Sequence, residues 1–150
     1  EFYEPRTVHE SSLSPCVHAI LAAKLGLKEK AYEFYLRTSR LDLDDYNNDT
    51  EDGCHITSMA GTWMAVVKGF GGMRVRDGRV HLAPFCPAQW ESFAFNVRFR
   101  GHLLNVKATQ REVTIGNASP QPLTLVVFDH DLTVAGNETV AVAIPLINPA

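Results

Sequence analysis

The densest group of chemically useful side chains lies near the start of the chain, just before an apolar helical repeat. Ser11 and Ser12 are adjacent hydroxyls, and His9 and Glu10 precede them directly. A helix start presents unpaired backbone N–H groups and the positive end of the helix dipole, to which adjacent hydroxyls add donors. The same serines could instead cap the helix by accepting hydrogen bonds from those N–H groups. The pattern therefore predicts either a helix cap or a site for an anion such as phosphate.

A second candidate is the acidic stretch of residues 42–53, which contains six carboxylates. A calcium-binding EF-hand loop needs Gly at its sixth position and Glu at its twelfth, and no register from Asp42 or Asp44 supplies both. We therefore expect a solvated loop of turn-forming residues. His55 follows this loop and could tie it to the start of the next helix.

The remaining histidines and the cysteines carry no metal signature. The six histidines include no HExxH motif, and the three cysteines include no CxxC pair. Both patterns are typical of protein zinc sites. We expect no metal site, and three reduced thiols that pack as small hydrophobic groups.

Composition excludes several classes of protein. Of 150 residues, 45% are hydrophobic and 21% are charged, which is ordinary globular usage and argues against disorder. The formal net charge of −3 argues against a nucleic-acid partner or an anionic membrane surface. No apolar run reaches the roughly 18 residues that a membrane span needs. We expect a cytoplasmic protein with no nucleic-acid or membrane partner.

The first half of the chain has helical periodicity. Apolar steps from Val17 to Leu25 predict a first helix that can hold Pro15 in its first turn, and Gly26 is its stop signal. Two further helices are predicted over residues 28 to about 40 and about 56–67. Gly61 is small enough to let another helix approach closely. The third helix is apolar on several sides, so we expect neighbours beyond the first two helices.

From about residue 75 the period changes to two. Seven short runs alternate apolar and polar residues or are bounded by turn residues, namely 80–82, 93–99, 104–108, 113–115, 123–128, 132–135 and 140–144. Several short strands separated by turns predict an antiparallel sandwich. We therefore divide the chain into a helical part, residues 1–75, and a β part, residues 76–150.

Several segments, in one order, resemble glycoside hydrolase family 65, which contains maltose, trehalose, kojibiose and nigerose phosphorylases. They are residues 3–14, 40–45, 52–56, 60–63, 67–74, 84–90 and 95–101, and the resemblance extends to about residue 115. It implies an α+β chain: the C-terminal helices of an (α/α)6 catalytic barrel in residues 1–75, followed by a small antiparallel β-sandwich subdomain in residues 76–150.

The resemblance also implies a function. In the family's phosphorylases, inorganic phosphate attacks the anomeric carbon of an α-glucosyl disaccharide with inversion, which gives β-glucose 1-phosphate and glucose. The matching phosphate-binding residues here are Ser11, Ser12 and His55. The general acid, a glutamate, is expected upstream of Glu1, so the chain alone is expected to be an inactive fragment. Phosphate is a co-substrate and no cofactor is implied; the expected partners are the rest of the parent enzyme and further copies in a homo-oligomer.

Two alternatives stay open. The family also contains hydrolases, and Glu10 lies in roughly the region of their catalytic base, so a hydrolase acting on trehalose or kojibiose is possible. A base-activated water would then be the nucleophile in place of phosphate. The other alternative is a non-catalytic carbohydrate-binding module formed by the β part, for which aromatic side chains exposed on a sheet would be needed.

Overall fold

The computed structural model describes residues 6–7, 11–45, 48 and 50–145. The chain divides into two compact units, residues 1–69 and residues 70–150. The first unit is helical and the second consists of strands. This confirms the α+β fold class. The assignment of residues 1–75 to a catalytic barrel and of residues 76–150 to a separate subdomain stays a prediction.

The described part of the helical unit contains the three predicted helices. They are α1 (Ser14–Lys24), α2 (Lys28–Ser39) and α3 (Ile56–Met64), with a short 3₁₀ turn at Thr50–Asp52 before α3. The third helix differs from its prediction because it widens into a π-helical segment, Ala65–Phe70. Such segments are rare and usually occupy a single turn inside an α-helix.

Gly26 ends α1 as predicted. Its φ of +75° lies in the left-handed region, which glycine adopts without steric cost. The N–H of Leu27 donates to the carbonyl of Ala22, and the N–H of Gly26 donates to that of Ala23, which is the Schellman arrangement. Only three residues therefore separate α1 from α2, and such short connections join antiparallel neighbours.

Close contacts fix the directions of the three helices. A Cβ added at Gly61 would lie 2.9 Å from Cβ of Cys16, and one added at Gly69 would lie 3.7 Å from Cα of Ile20. The contacts advance together along both elements, so α1 runs parallel to α3 and its π-helical extension. Thr38 near the end of α2 also contacts the Gly61 position, with its Cγ2 3.5 Å from the added Cβ. Since α2 is antiparallel to α1, the end of α2 and the starts of α1 and α3 lie at one end of the unit.

The β unit has eight strands in its described part. They are β1 (Arg74–Arg76), β2 (Arg79–Leu82), β3 (Ser92–Phe99), β4 (His102–Thr109), β5 (Glu112–Asn117), β6 (Leu123–Val127), β7 (His130–Val134) and β8 (Thr139–Ala143). They form two four-stranded sheets, in the orders β1-β2-β6-β7 and β3-β4-β5-β8. All seven predicted runs are strands, and β1 is additional. One pair departs from the antiparallel pattern, because β2 and β6 are parallel.

Asn117 links the two sheets of the β unit. It ends β5, is completely buried, and donates from Nδ2 to the carbonyls of Gln121 (2.7 Å), Val134 (3.3 Å) and Ala135 (3.4 Å). Its Oδ1 accepts from the N–H of Ser119 over 3.2 Å. A buried side chain whose donors and acceptor are all used holds its neighbours in one arrangement.

Candidate functional site

The residues that precede α1, follow α2 and precede α3 share one end of the helical unit. Ser11 and Ser12 lie just before α1, Asp42 lies three residues after α2, and His55 directly precedes α3. Two helix N-termini therefore point toward this end. Each N-terminus carries the positive end of its helix dipole, so the local field favours an anion.

The two serines form a hydroxyl turn before α1. Ser11 is exposed and Ser12 is half-buried. Oγ of Ser11 accepts from the N–H of Leu13 over 3.3 Å, and the carbonyl of Ser11 accepts from the N–H of Ser14 over 3.2 Å. The cap position itself is Leu13, which supplies no side-chain hydrogen bond. The hydroxyl of Ser11 thus accepts from an N–H group that precedes the helix, and the cap position of α1 is not a serine.

His55 does tie the acidic stretch to the start of α3, as one alternative predicted. Its backbone N–H donates to Oδ2 of Asp42 over 2.9 Å, and its ring Nδ1 lies 2.6 Å from Oδ1 of the same carboxylate. Both side chains are largely buried, with 23% of His55 and 17% of Asp42 exposed. The imidazole is consequently held at the start of α3 by a specific partner.

Asp42 corrects the expectation of a uniformly solvated loop. The hydrogen bonds from the ring and the backbone of His55 hold the pKa of the Asp42 carboxyl below its usual range. Asp44 and Asp45 are exposed, in line with the expectation. Asp44 pairs with Arg40 across two contacts of 2.6 and 2.7 Å, which offsets its charge.

The described residues leave part of the predicted site undetermined. Glu10, the possible base of a hydrolase, lies outside them, as does His9. Within residues 6–7, 11–45, 48 and 50–145, no group of three or more His, Cys, Asp or Glu side chains could hold a metal ion. Over the same residues, no helix has the length and apolar character that crossing a membrane requires. Ser11, Ser12 and His55 share one end of the helical unit, and their joint contact with phosphate stays a prediction.

Comparison with known proteins identifies the protein family. The family model for the glycosyl hydrolase family 65 central catalytic domain matches residues 1–64 of the sequence, and the family model for the C-terminal domain matches residues 73–134. The chain belongs to glycosyl hydrolase family 65.

Individual relatives are phosphorylases. Maltose phosphorylase of Bacillus subtilis is 52% identical over 91% of this chain and 18% of its own length. Alpha,alpha-trehalose phosphorylase of Thermoanaerobacter brockii is 45% identical over 92% of this chain and 18% of its own length. A solved structure from the human microbiome, assigned on its own description as a kojibiose phosphorylase, superposes with a TM-score of 0.92 at 38% identity over 99% of this chain and 22% of that one. The chain thus spans about a fifth of the length of these relatives.

Sequence reasoning missed Asp42 as part of the site. Asp42 was grouped with the acidic loop because the charge and turn propensity of residues 42–53 both predict a solvated loop. Asp42 lies just after α2 and His55 just before α3, thirteen positions further along the chain, and their pairing follows from where these two helices end. Carboxylates commonly orient the histidines of functional sites through the second ring nitrogen.

Proposed function

We propose that this chain supplies the phosphate subsite of an inverting glycoside phosphorylase. The proposal is supported chiefly by the convergence of two helix N-termini, a pair of hydroxyls and a carboxylate-bound imidazole at one end of the helical unit. Family membership agrees with it, and so does the phosphorylase activity named for the relatives. Ser11, Ser12 and His55 are the proposed phosphate ligands.

The chemistry of the subsite follows from its nucleophile. Phosphate is already an anion, so the enzyme needs to hold it beside the anomeric carbon and does not need a base to deprotonate water. Hydroxyl and N–H donors, together with an imidazolium, offset the charge on three phosphate oxygens while the fourth attacks. The glycosidic oxygen leaves from the opposite face after protonation by the general acid, which we place outside this chain.

The activity is tested on the full-length enzyme that carries this chain. Maltose, trehalose and kojibiose would each be incubated with and without inorganic phosphate, and β-glucose 1-phosphate would be measured. We expect cleavage that depends on phosphate and forms this product. Equal cleavage without phosphate would favour the hydrolase alternative and make Glu10 the next residue to substitute.

We propose a maltose-like disaccharide as the substrate, because the chain is 52% identical to a maltose phosphorylase.

The serines are tested by substitution in the same enzyme. Removing both hydroxyls, as Ser11→Ala with Ser12→Ala, should raise the KM for phosphate or lower kcat by about 10- to 1000-fold, the loss of one or two charge-assisted hydrogen bonds. Ser92→Ala, in the β unit and exposed, is the control and should leave both constants unchanged. Unchanged phosphate kinetics in the double variant would reduce the serines to a structural turn.

The rest of the parent enzyme is the proposed partner of two exposed apolar helix faces. Val17 and Leu21 of α1 are each 49% exposed, and Ile56, Met59 and Trp63 of α3 are 51–69% exposed. Each set recurs at three- or four-residue steps, so it forms a stripe on its helix. Such stripes are unusual on a free surface. We expect the isolated chain to self-associate in light scattering; a monodisperse monomer would count against this partner. We also propose that the parent enzyme is a cytoplasmic homo-oligomer.

The carbohydrate-binding alternative receives little support from the β unit. Phe93 and Phe95, which alternate along β3, are buried at 9% and 8% exposure. Trp90 packs edge-on against Phe70, with ring centroids 5.3 Å apart. These rings are engaged in packing and do not form an exposed platform for sugar stacking.

A further inference from the structure

A single carboxylate controls both the backbone and the ring of His55. Oδ2 of Asp42 accepts from the backbone N–H of His55 over 2.9 Å, and Oδ1 meets ring Nδ1 at 2.6 Å. The first contact fixes where α3 begins, and the second fixes the plane of the imidazole. The bond to the backbone N–H would be enough to anchor the loop. The bond between Oδ1 of Asp42 and ring Nδ1 of His55 therefore needs a separate explanation.

The chemistry of the pair assigns the protons. An ionised carboxylate can only accept hydrogen bonds, so Nδ1 of His55 is the nitrogen that carries a proton. This assignment comes from the hydrogen-bond partner, since hydrogen positions follow from the network. Nε2 is then the ring nitrogen through which His55 can meet a ligand, either accepting in the neutral ring or donating in the imidazolium.

We propose that Asp42 is a positioning residue of the phosphate subsite, which holds Nδ1–H of His55 so that Nε2 is presented to phosphate and the imidazolium is stabilised. The inference rests on the proposed function and adds a residue to it. Asp42 acts through His55 and does not itself touch the anion. Its charge is directed at the imidazole because both carboxylate oxygens are already occupied by donors of His55.

The surrounding charges are compatible with this role. On the α2 side, Arg40 and Asp44 pair with each other at 2.6 Å and nearly cancel. Within α1, desolvation by burial raises the pKa of the Cys16 thiol, so this thiol stays neutral near pH 7. The low pKa of Asp42 keeps its carboxylate ionised over the same range.

The test is Asp42→Asn in the full-length enzyme. Asparagine has the same shape but only one acceptor, so it cannot accept from both the backbone N–H and ring Nδ1. Pairing its oxygen with the backbone leaves its NH₂ facing Nδ1, which reverses the tautomer, and the negative charge is lost. We expect the KM for phosphate to rise about 10- to 100-fold, a loss similar to that caused by removing the carboxylate behind a metal-ligating histidine. The KM for the disaccharide should change less than twofold.

The pH dependence separates positioning from a merely structural role. Without the carboxylate the protonated imidazole is less favoured, so the limb of kcat/KM for phosphate that reports His55 should move toward lower pH. Asp42→Glu, which keeps the charge and both acceptors but shifts them by one methylene, should raise the KM while leaving that limb in place. This second variant also serves if Asp42→Asn fails to fold, as judged by circular dichroism.

Two controls complete the experiment. Asp45→Asn removes the same charge from the same loop at an exposed position with φ of +48°, a conformation asparagine tolerates well, and should match the unsubstituted enzyme. In a His55→Ala background, Asp42→Asn should change the phosphate KM less than twofold, because a residue that acts through His55 has no effect without it.

The outcomes distinguish the two proposals. An enzyme that cleaves disaccharide without consuming phosphate overturns the proposed function and this inference together. Phosphate-dependent cleavage in which Asp42→Asn and Asp45→Asn behave alike overturns this inference alone. So does an Asp42→Asn effect that is equally large in the His55→Ala background, or one that falls on the disaccharide KM with an unmoved pH profile.

Discussion

Two glycines on one interface should respond to the same substitution in opposite ways. Gly61 lies in α3 and Gly69 in its π-helical extension, and both face α1. A Cβ at Gly61 would lie 2.9 Å from Cβ and 3.0 Å from Sγ of Cys16, closer than real Cβ atoms approach. At Gly69 the nearest atoms would lie at 3.7–3.9 Å, which is ordinary contact. The site end of the helical unit is next to the tight contact.

The magnitudes follow from these distances. Gly61→Ala forces the helices apart, which costs about 1–3 kcal/mol as overpacking, while the loss of glycine's backbone entropy returns up to about 1 kcal/mol. We expect a net loss of about 1–2 kcal/mol in the free energy of unfolding. Gly69→Ala meets no clash, so the stability should be unchanged or rise by up to about 1 kcal/mol.

Urea unfolding followed by circular dichroism at 222 nm measures both effects on the whole chain, since the helices lie in one unit. The midpoint should fall for Gly61→Ala and stay level or rise for Gly69→Ala, with unchanged slopes. In the full-length enzyme, Gly61→Ala should also raise the KM for phosphate, because it displaces one helix start relative to the other. A Gly61→Ala chain as stable as the original would refute the tight contact at Gly61, and a Gly69→Ala chain equally weakened would refute the looser contact at Gly69.

Three further results are expected. Asn117→Ala should lower the free energy of unfolding by about 2–4 kcal/mol, because it leaves several buried carbonyls without their donor. The control is Asn96→Ala, which removes an exposed hydrogen bond and should cost under about 0.5 kcal/mol. Equal costs in calorimetry would contradict the role of Asn117 in linking the two sheets. The pKa of Asp42 in the folded chain lies below its unfolded value of about 3.9. The stability that its ionised carboxylate contributes should therefore be complete above about pH 3.9 and disappear as the pH falls through the folded pKa. A difference in stability between the original chain and Asp42→Asn that persists in strong acid would disprove this. With a thiol reagent at pH 8, the exposed Cys54 should react first, because burial raises the pKa of the thiols of Cys16 and Cys86. Equal rates of reaction for the three cysteines would be inconsistent with this burial.

The helices and strands were predictable because each follows from local periodicity and punctuation. Gly26 and the apolar steps before it are sufficient to end α1, and the alternation of Phe93 and Phe95 is sufficient for β3. The π-helical segment after α3 was not predicted, because apolar spacing over so short a segment does not distinguish a π-helix from an α-helix. The parallel pairing of β2 with β6 was also missed, since strand order is a non-local property that alternation does not encode.

For the candidate site, the sequence identified side chains but not their connections. Ser11, Ser12 and His55 stand out by type and by resemblance, and each lies beside a helix start. The bond between Asp42 and His55 depends on where α2 ends relative to α3, which the sequence does not state. For the same reason Ser11 or Ser12 was expected as a possible helix cap, whereas the cap position of α1 is Leu13, one residue after Ser12.

The parallel pair of β2 and β6 has a consequence for synthesis of the protein. His81 of β2 pairs with Val126 of β6, so about 45 residues must leave the ribosome before that ladder can form. During this interval β3, β4 and β5 can pair as hairpins. The hairpin of β1 and β2 meanwhile lacks β6, so the backbone groups on that edge of β2 stay unpaired. A polypeptide that stops before residue 123 would keep this edge permanently, and nascent or truncated chains should therefore be the species most prone to aggregate.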